Sequence, residues 1–413
     1  MEHRSDLFRQ FTYGLFLFAA FGMFLSRVVL SVSFIGLFGI SILWIVLNKF
    51  KFNKNAFLGF AALSVTFFII LFSGIKGGDS QFWFKHLVLK LPFFSMSLAL
   101  FALPSLEEKQ FNRILLVFGS LAVATGIYTL GNYLINMESI HEEMLKGRGF
   151  PNPVNQHIRY SLMLVMGLCC WSVLMIRGFF EKKTTKVIAW LCIVFLVVLI
   201  HVISVRSGWL ALYLVGLYFL IRYLLVRKNW ALGAVFAIAL IGGPFLAYYS
   251  IESVENKVRY TLYDLQQAES GNITGLSDAR RMTSIRVGLE LGRSDMLTGV
   301  GVGSLREETN SYYQEHYPEL TESYEWQLPH NEFVWFFAAT GLIGLVFFCI
   351  SFFLPLFHRA AFKDSMILCT YLVIGSSLLT EATFDRQLGV ALFLVFITLA
   401  LNVRKAIRTD HNL

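Results

Sequence analysis

The sequence predicts an all-α polytopic membrane protein with about twelve transmembrane helices and one long helical loop. Three observations carry that expectation. Of 413 residues, 56% are hydrophobic and only 15% charged, whereas soluble domains carry about 25% charged residues. Apolar runs near the ~20 residues needed to cross a bilayer core recur along the chain, separated by short polar punctuation. One long polar stretch, 251–329, interrupts the pattern between the ninth and tenth runs. Residues 1–413 therefore read as a single integral membrane domain with a large loop set into it.

In chain order the expected spans are 11–26, 28–48, 56–74, 84–103, 113–135, 158–177, 187–205, 207–226, 230–250, 330–357, 364–380 and 387–403. The first follows MEHRSDLFRQ and resembles a signal peptide in outline. It has no small-x-small cleavage site and the second run begins at once, so it reads as a span. An even number of spans puts both termini on one side. With the termini cytoplasmic, the inner segments collect 19 of the 35 Lys and Arg, including Lys49, Lys51, Lys54, Lys182, Lys183, Lys186, Arg404, Lys405 and Arg408. That excess is the mark of cytoplasmic loops, so both ends are expected inside and 251–329 in the periplasm. The net charge of +8 is then topological and excludes nucleic acid as a partner. Nine basic residues, among them Arg27, Lys76, Lys90, Arg159 and Arg206, are left on or near the outer side. Arginine at a membrane boundary is costly unless paired, solvated or used.

Within the long loop, Val254, Val258, Leu262 and Leu265 share one stripe of VENKVRYTLYDLQQA and predict an amphipathic helix. SGNITGLSD reads as a loop, with Ser277 or Asp278 able to cap a second helix over 279–297. The turn GVGVG (299–303) and an aromatic, acidic stretch follow, and Pro329-His330-Asn331 opens the next apolar run. The smaller outer segment 136–157 contains GRGFPNPVNQH, whose glycines and prolines mark an irregular loop. The five cysteines all lie in apolar runs without metal-ligand spacing and read as core or lipid-facing residues.

Arg206 stands where two apolar runs meet with almost no loop, a fixed cation suited to bidentate binding of phosphate, or else a boundary residue that snorkels. Arg280, Arg281, Arg286 and Arg293 lie on the 279–297 helix. At about 100° per residue, Arg281 and Arg286 stand roughly 140° apart, so the four cannot all face one ligand. GVGVG could cradle an anion with its amides, though it lacks the βαβ context of a dinucleotide site. His330 sits at the outer interface, where an imidazole can accept a proton near neutral pH, with Asn331 as an orienting neighbour. The chain has no DxD, Walker A, HExxH or CxxC pattern, so phosphate chemistry would rest on arginine, with neither metal nor cofactor.

Together, Arg206 at the outer start of a span, Arg281 eighteen residues before Gly299 of GVGVG, PHNEFVWFFAATGLIGL from Pro329, and LLTEATFDRQLGV with Glu381 and Asp385 resemble the O-antigen ligase and polymerase superfamily. The resemblance covers roughly 150–400. Ile285 stands where the family usually has tryptophan. The resemblance implies a C-type membrane glycosyltransferase of the bacterial inner membrane, inverting and metal-independent, with its active site facing the periplasm. Its donor would be a glycan on undecaprenyl pyrophosphate and its acceptor a sugar hydroxyl of the lipid A-core oligosaccharide. By the same resemblance Arg206 and Arg281 neutralise the pyrophosphate and His330 acts as base or orienter for the acceptor hydroxyl; from their places on the helix and beside the histidine, Arg280, Arg286 and Asn331 are expected as further substrate contacts. An O-antigen or exopolysaccharide polymerase and a protein O-oligosaccharyltransferase share the leaving group and stay open as alternatives. A lipid-glycan transporter, from another class, is disfavoured because the polar residues gather at one face instead of mid-membrane.

Overall fold

In the computed structural model the described residues are 2–48, 54–145, 148–269, 277–318, 320 and 326–407. Most of the expected SGNITGLSD loop, and Lys49, Lys51, Lys146 and Arg408 among the basic residues, fall outside them. The described residues form sixteen α-helices joined by short turns and 3-10 segments, with no strand among them. Eleven of the helices are long and apolar enough to cross a membrane. A twelfth apolar helix, Ser365–Thr380, has 16 residues, which at 1.5 Å per residue gives only about 24 Å. The protein is thus a multi-pass, all-α membrane protein.

The chain divides into two compact units. The first comprises 1–114, 271–370 and 378–413. It holds α1 (Glu2–Leu25), α2 (Arg27–Leu47), α3 (Lys54–Ser73), α4 (Ser80–Ala102) and the start of α5 (Glu108–Ile135). Later in the chain it takes up α12 (Ser277–Ser294), α13 (Leu305–His316), α14 (Glu332–Phe357), the ends of α15 (Ser365–Thr380) and α16 (Gln387–Ile407). Polar residues mark where its helices begin. Ser26 caps α2, Asp79 caps α4 by accepting from the amides of Gln81 and Phe82, and Asn331 caps α14 by accepting from the amide of Val334. Phe93, Phe336, Phe348, Phe352, Phe384 and Phe393 fill the space where α4, α14 and α16 meet, with ring centroids 4.0–6.3 Å apart.

One element departs from regular helix in a way that the sequence did not announce. α14 breaks at Gly341 (φ 63°, ψ −166°), a backbone conformation reserved for glycine. The break leaves carbonyls without amides one turn on, and the GVGVG turn supplies them. Val300 donates to the Ala338 carbonyl and Gly301 to that of Ala339, each at 2.9 Å. In return the Leu342 and Ile343 amides donate to the carbonyls of Met296 and Leu297 at 2.8 and 3.2 Å. Gly299, at φ 63°, lies so close that a Cβ there would strike the Thr340 and Gly341 amides. Two of the turn's amides are therefore occupied by α14, and its glycines serve close backbone approach.

The second unit comprises 115–270 and 371–377. It contains the rest of α5, α6 (Met137–Leu145), α7 (His157–Ile176), α8 (Lys183–Ile203), α9 (Arg206–Arg227), α10 (Trp230–Ser250) and α11 (Glu252–Glu269). α6 occupies the front of the expected irregular loop, and 148–156 after it are non-helical. α11 is the amphipathic helix expected over 254–268. It is tied down by His141, whose Nε2 meets the Tyr133 hydroxyl at 2.9 Å and whose Nδ1 meets Glu252 at 3.1 Å. Ser253 adds a hydrogen bond to the Val202 carbonyl at the end of α8.

Candidate functional site

α12 carries Arg281, Ser284, Gly288 and Gly292 at spacings of three and four residues, which places them on one helical face. That face packs on α14. Any Cβ at Gly288 would run into Pro329 and Val334, and any at Gly292 into Phe337. The two glycines thus let α12 approach closely enough for Arg281, about two turns before Gly288, to reach past the start of α14.

There it meets Glu381, just beyond the end of α15. Arg281 Nη2 lies 2.7 Å from Glu381 Oε1, and His330 Nδ1 lies 3.3 Å from Glu381 Oε2. One carboxylate, its side chain only 6% exposed, holds a guanidinium on one oxygen and an imidazole on the other. His330 and Arg281 remain 27% and 30% exposed. Ser284 fixes the histidine from its other side, accepting the His330 amide at 3.2 Å. A carboxylate on Nδ1 favours the tautomer with the proton on that nitrogen, so Nε2 is the nitrogen able to take a proton from a substrate. Arginine has five N–H donors in a planar fork, and Nη2 is the one that faces Glu381 at 2.7 Å, so the group can also address an anion.

A second layer lies beneath. Glu332, in the first turn of α14, accepts the Phe384 amide at 2.8 Å, and Lys90 of α4 donates to the Phe384 carbonyl. Lys90 and Glu332 are 3.6 Å apart and each 1% exposed. Lys90 lies over the Trp335 ring, 5.6 Å from its centroid. His86, one turn earlier on α4, meets Asp385 at 3.3 Å and packs against Trp335. Lys90, counted by its place in the sequence among the outer charges, is therefore an interior residue.

Asn331 stands beside His330 with both polar atoms on backbone, Oδ1 capping α14 and Nδ2 donating to the Leu379 carbonyl at 2.9 Å. It pins the start of α14 to the end of α15. Arg280 is half-buried on α12. Arg286 is exposed and within electrostatic range of Tyr312, and Arg293 pairs with Glu290 at 2.6 Å. Nearby, Lys76 braces the GVGVG turn, pairing with Asp295 at 2.5 Å and donating to the Gly299 carbonyl. Its hydrogen bond, with those from Thr298, holds the Asp295 carboxyl below its ordinary range. Arg206 belongs to the second unit, where it is the half-buried first residue of α9, following a left-handed Ser204 (φ 55°) that closes α8.

The structure thus gathers Arg281, His330 and Asn331 and adds Glu381, Ser284, Glu332 and Lys90, none of which spacing alone selected. Glu381 was legible as part of an acidic closing segment.

Residues 191–349 match the family model described as O-antigen ligase. Over that segment the chain is similar to the O-antigen ligase family, whose members are membrane glycosyltransferase-like enzymes. The match includes Arg206, Arg281 and His330 and ends before Glu381. A search of the curated proteins finds no match.

Proposed function

We propose that this protein is an O-antigen ligase of the bacterial inner membrane, moving a glycan from undecaprenyl pyrophosphate to a sugar hydroxyl of the lipid A-core oligosaccharide. The observation that carries the reading is the Glu381 carboxylate shared by Arg281 and His330. Glycosyl transfer from a lipid diphosphate needs a base for the acceptor and a cation for the leaving group, and the shared carboxylate sets both in one place. His330 Nε2 takes the acceptor hydroxyl proton as that oxygen bonds to the anomeric carbon. The bond from the same carbon to the diphosphate breaks, and the diphosphate leaves with the electron pair beside Arg281. Charge on the leaving oxygen grows along this path, so a preset guanidinium helps the transition state more than the ground state. A single displacement of this kind inverts the anomeric centre. Arg206 is proposed as a second cation for the pyrophosphate and Arg280 and Arg286 as further contacts. The reaction needs no metal in this reading, since arginine carries the diphosphate charge. Both termini are placed in the cytoplasm and the site in the periplasm, because the inner segments collect most of the basic residues.

The test is reconstitution with purified lipid-linked glycan and lipid A-core, comparing wild type with Arg206→Ala, Arg281→Ala and His330→Ala. Transfer should fall roughly 10²- to 10⁴-fold in His330→Ala, the range for loss of a general base, and strongly in both arginine variants. Transfer untouched by all three substitutions would discard the site, and flipping of lipid-linked glycan without transfer would favour a transporter. Transfer to a second glycan or to a protein, in place of lipid A-core, would move the assignment to a polymerase or a protein O-oligosaccharyltransferase.

A further inference from the structure

We propose that Lys90 and Glu332 are positioning residues for the transfer reaction, their buried ion pair fixing the 381–385 turn against His330. The inference rests on the functional reading above and extends it to two side chains that touch no substrate in it. The pair grips both polar groups of a single residue: Glu332 accepts the Phe384 N–H, and Lys90 donates to the Phe384 carbonyl. Phe384 follows Glu381 by three residues, and Glu332 follows His330 by two. The clamp therefore joins the two backbone segments whose separation sets the His330–Glu381 distance.

Stability alone does not account for such a pair. Two charges buried at 1% exposure incur a large desolvation cost, and exchanging both for apolar residues of similar volume is often neutral or stabilising. The aromatic cluster around Phe384 already supplies apolar packing for the turn. Apolar contacts tolerate small slides, whereas two hydrogen bonds to one peptide residue from charged groups set direction as well as distance. Asp385, at the end of the turn, lies 3.3 Å from His86 on the same face of α4. Displacements of about 1 Å at reacting groups can cost 10²-fold in rate, so precise placement has a catalytic value that packing does not provide.

The experiment uses the full chain in proteoliposomes, with undecaprenyl-pyrophosphate glycan as donor and lipid A-core as acceptor. Lys90→Met combined with Glu332→Leu removes both charges and strands neither. The expected result is a folded protein with a thermal midpoint lowered by no more than several degrees, because the Phe384 N–H and carbonyl lose these partners, a turnover lowered roughly tenfold or more, and a KM for donor within about threefold, since Arg281 stays in place. Adding His330→Ala to this double variant should cost far less than it does in wild type, because the base is already misplaced. Should the double variant fail to fold, Glu332→Asp keeps the charge and shortens its reach, and it should show the same loss of turnover in a folded protein. Wild-type turnover in the double variant, or in a folded Glu332→Asp, would overturn the proposal, as would a full and independent additional loss from His330→Ala. These outcomes are distinct from failure of the functional reading, which His330→Ala alone would reveal by transferring at the wild-type rate.

Discussion

At the scale of single residues, the site turns on how one carboxylate is divided. Glu381 gives one oxygen to Arg281 and the other to His330, so its loss would disturb two functions together. Glu381→Gln keeps the shape and removes the charge, and turnover should drop by roughly 10²-fold with the chain still folded, since both partners have partial access to water. Wild-type transfer by this variant would show that the imidazole needs no carboxylate. Arg281 and His330 were legible in the sequence because each stands at a fixed distance from a recognisable neighbour, the GVGVG turn and the following Asn331. Lys90 and Glu332 were not, since nothing along the chain reveals that a lysine in α4 and a glutamate in α14 grip the same peptide. Asn331 was legible as important for a different reason than the one found: its amide joins α14 to α15 through backbone.

At the scale of elements, α12 and α14 are the pair that matters. The sequence showed α12 as a basic helix and the run beginning at Pro329 as one span. It did not show that the span is interrupted, because a lone glycine in an apolar run is compatible with unbroken helix. The break became visible only where the amides of Val300 and Gly301 reach the carbonyls of Ala338 and Ala339. Gly341→Ala would add a Cβ at φ 63° that meets the backbone of Leu297 and Thr298, a strain of about 1–3 kcal/mol. Its thermal midpoint in detergent should fall by several degrees and its transfer rate with it. Gly375→Ala, where a Cβ meets nothing within 4 Å, is the matched control and should leave both unchanged. Equal midpoints for the two variants would show the break to be unstrained.

At the scale of the whole molecule, the membrane made the fold readable. A bilayer demands apolar runs of a set length, and the apolar runs of the sequence correspond to the eleven long helices and the shorter α15. The division into two units was not readable, because it depends on contacts between segments remote in sequence, such as 1–114 with 271–370. The orientation proposed from charge predicts that single cysteines placed on exposed sites of α12 and α13, such as Arg286→Cys, react with a membrane-impermeant thiol reagent added to the periplasmic side of intact cells. Cysteines added near the amino terminus should react only after permeabilisation. The opposite pattern would invert the topology and move the site to the cytoplasm.

The hydrogen bonds at Gly341 also impose an order in time. A chain leaves the ribosome amino end first, so the segment bearing Arg281 and the GVGVG turn emerges before the carbonyls of Ala338 and Ala339 have been made. Val300 and Gly301 must wait for the next span to be inserted before their amides find those partners, and Arg281 waits longer still for Glu381. A nascent chain that stops short of Glu381 can already hold most of its membrane helices and yet have no carboxylate between the guanidinium and the imidazole. The middle of the sequence thus settles only after much of the carboxyl-terminal part has been made.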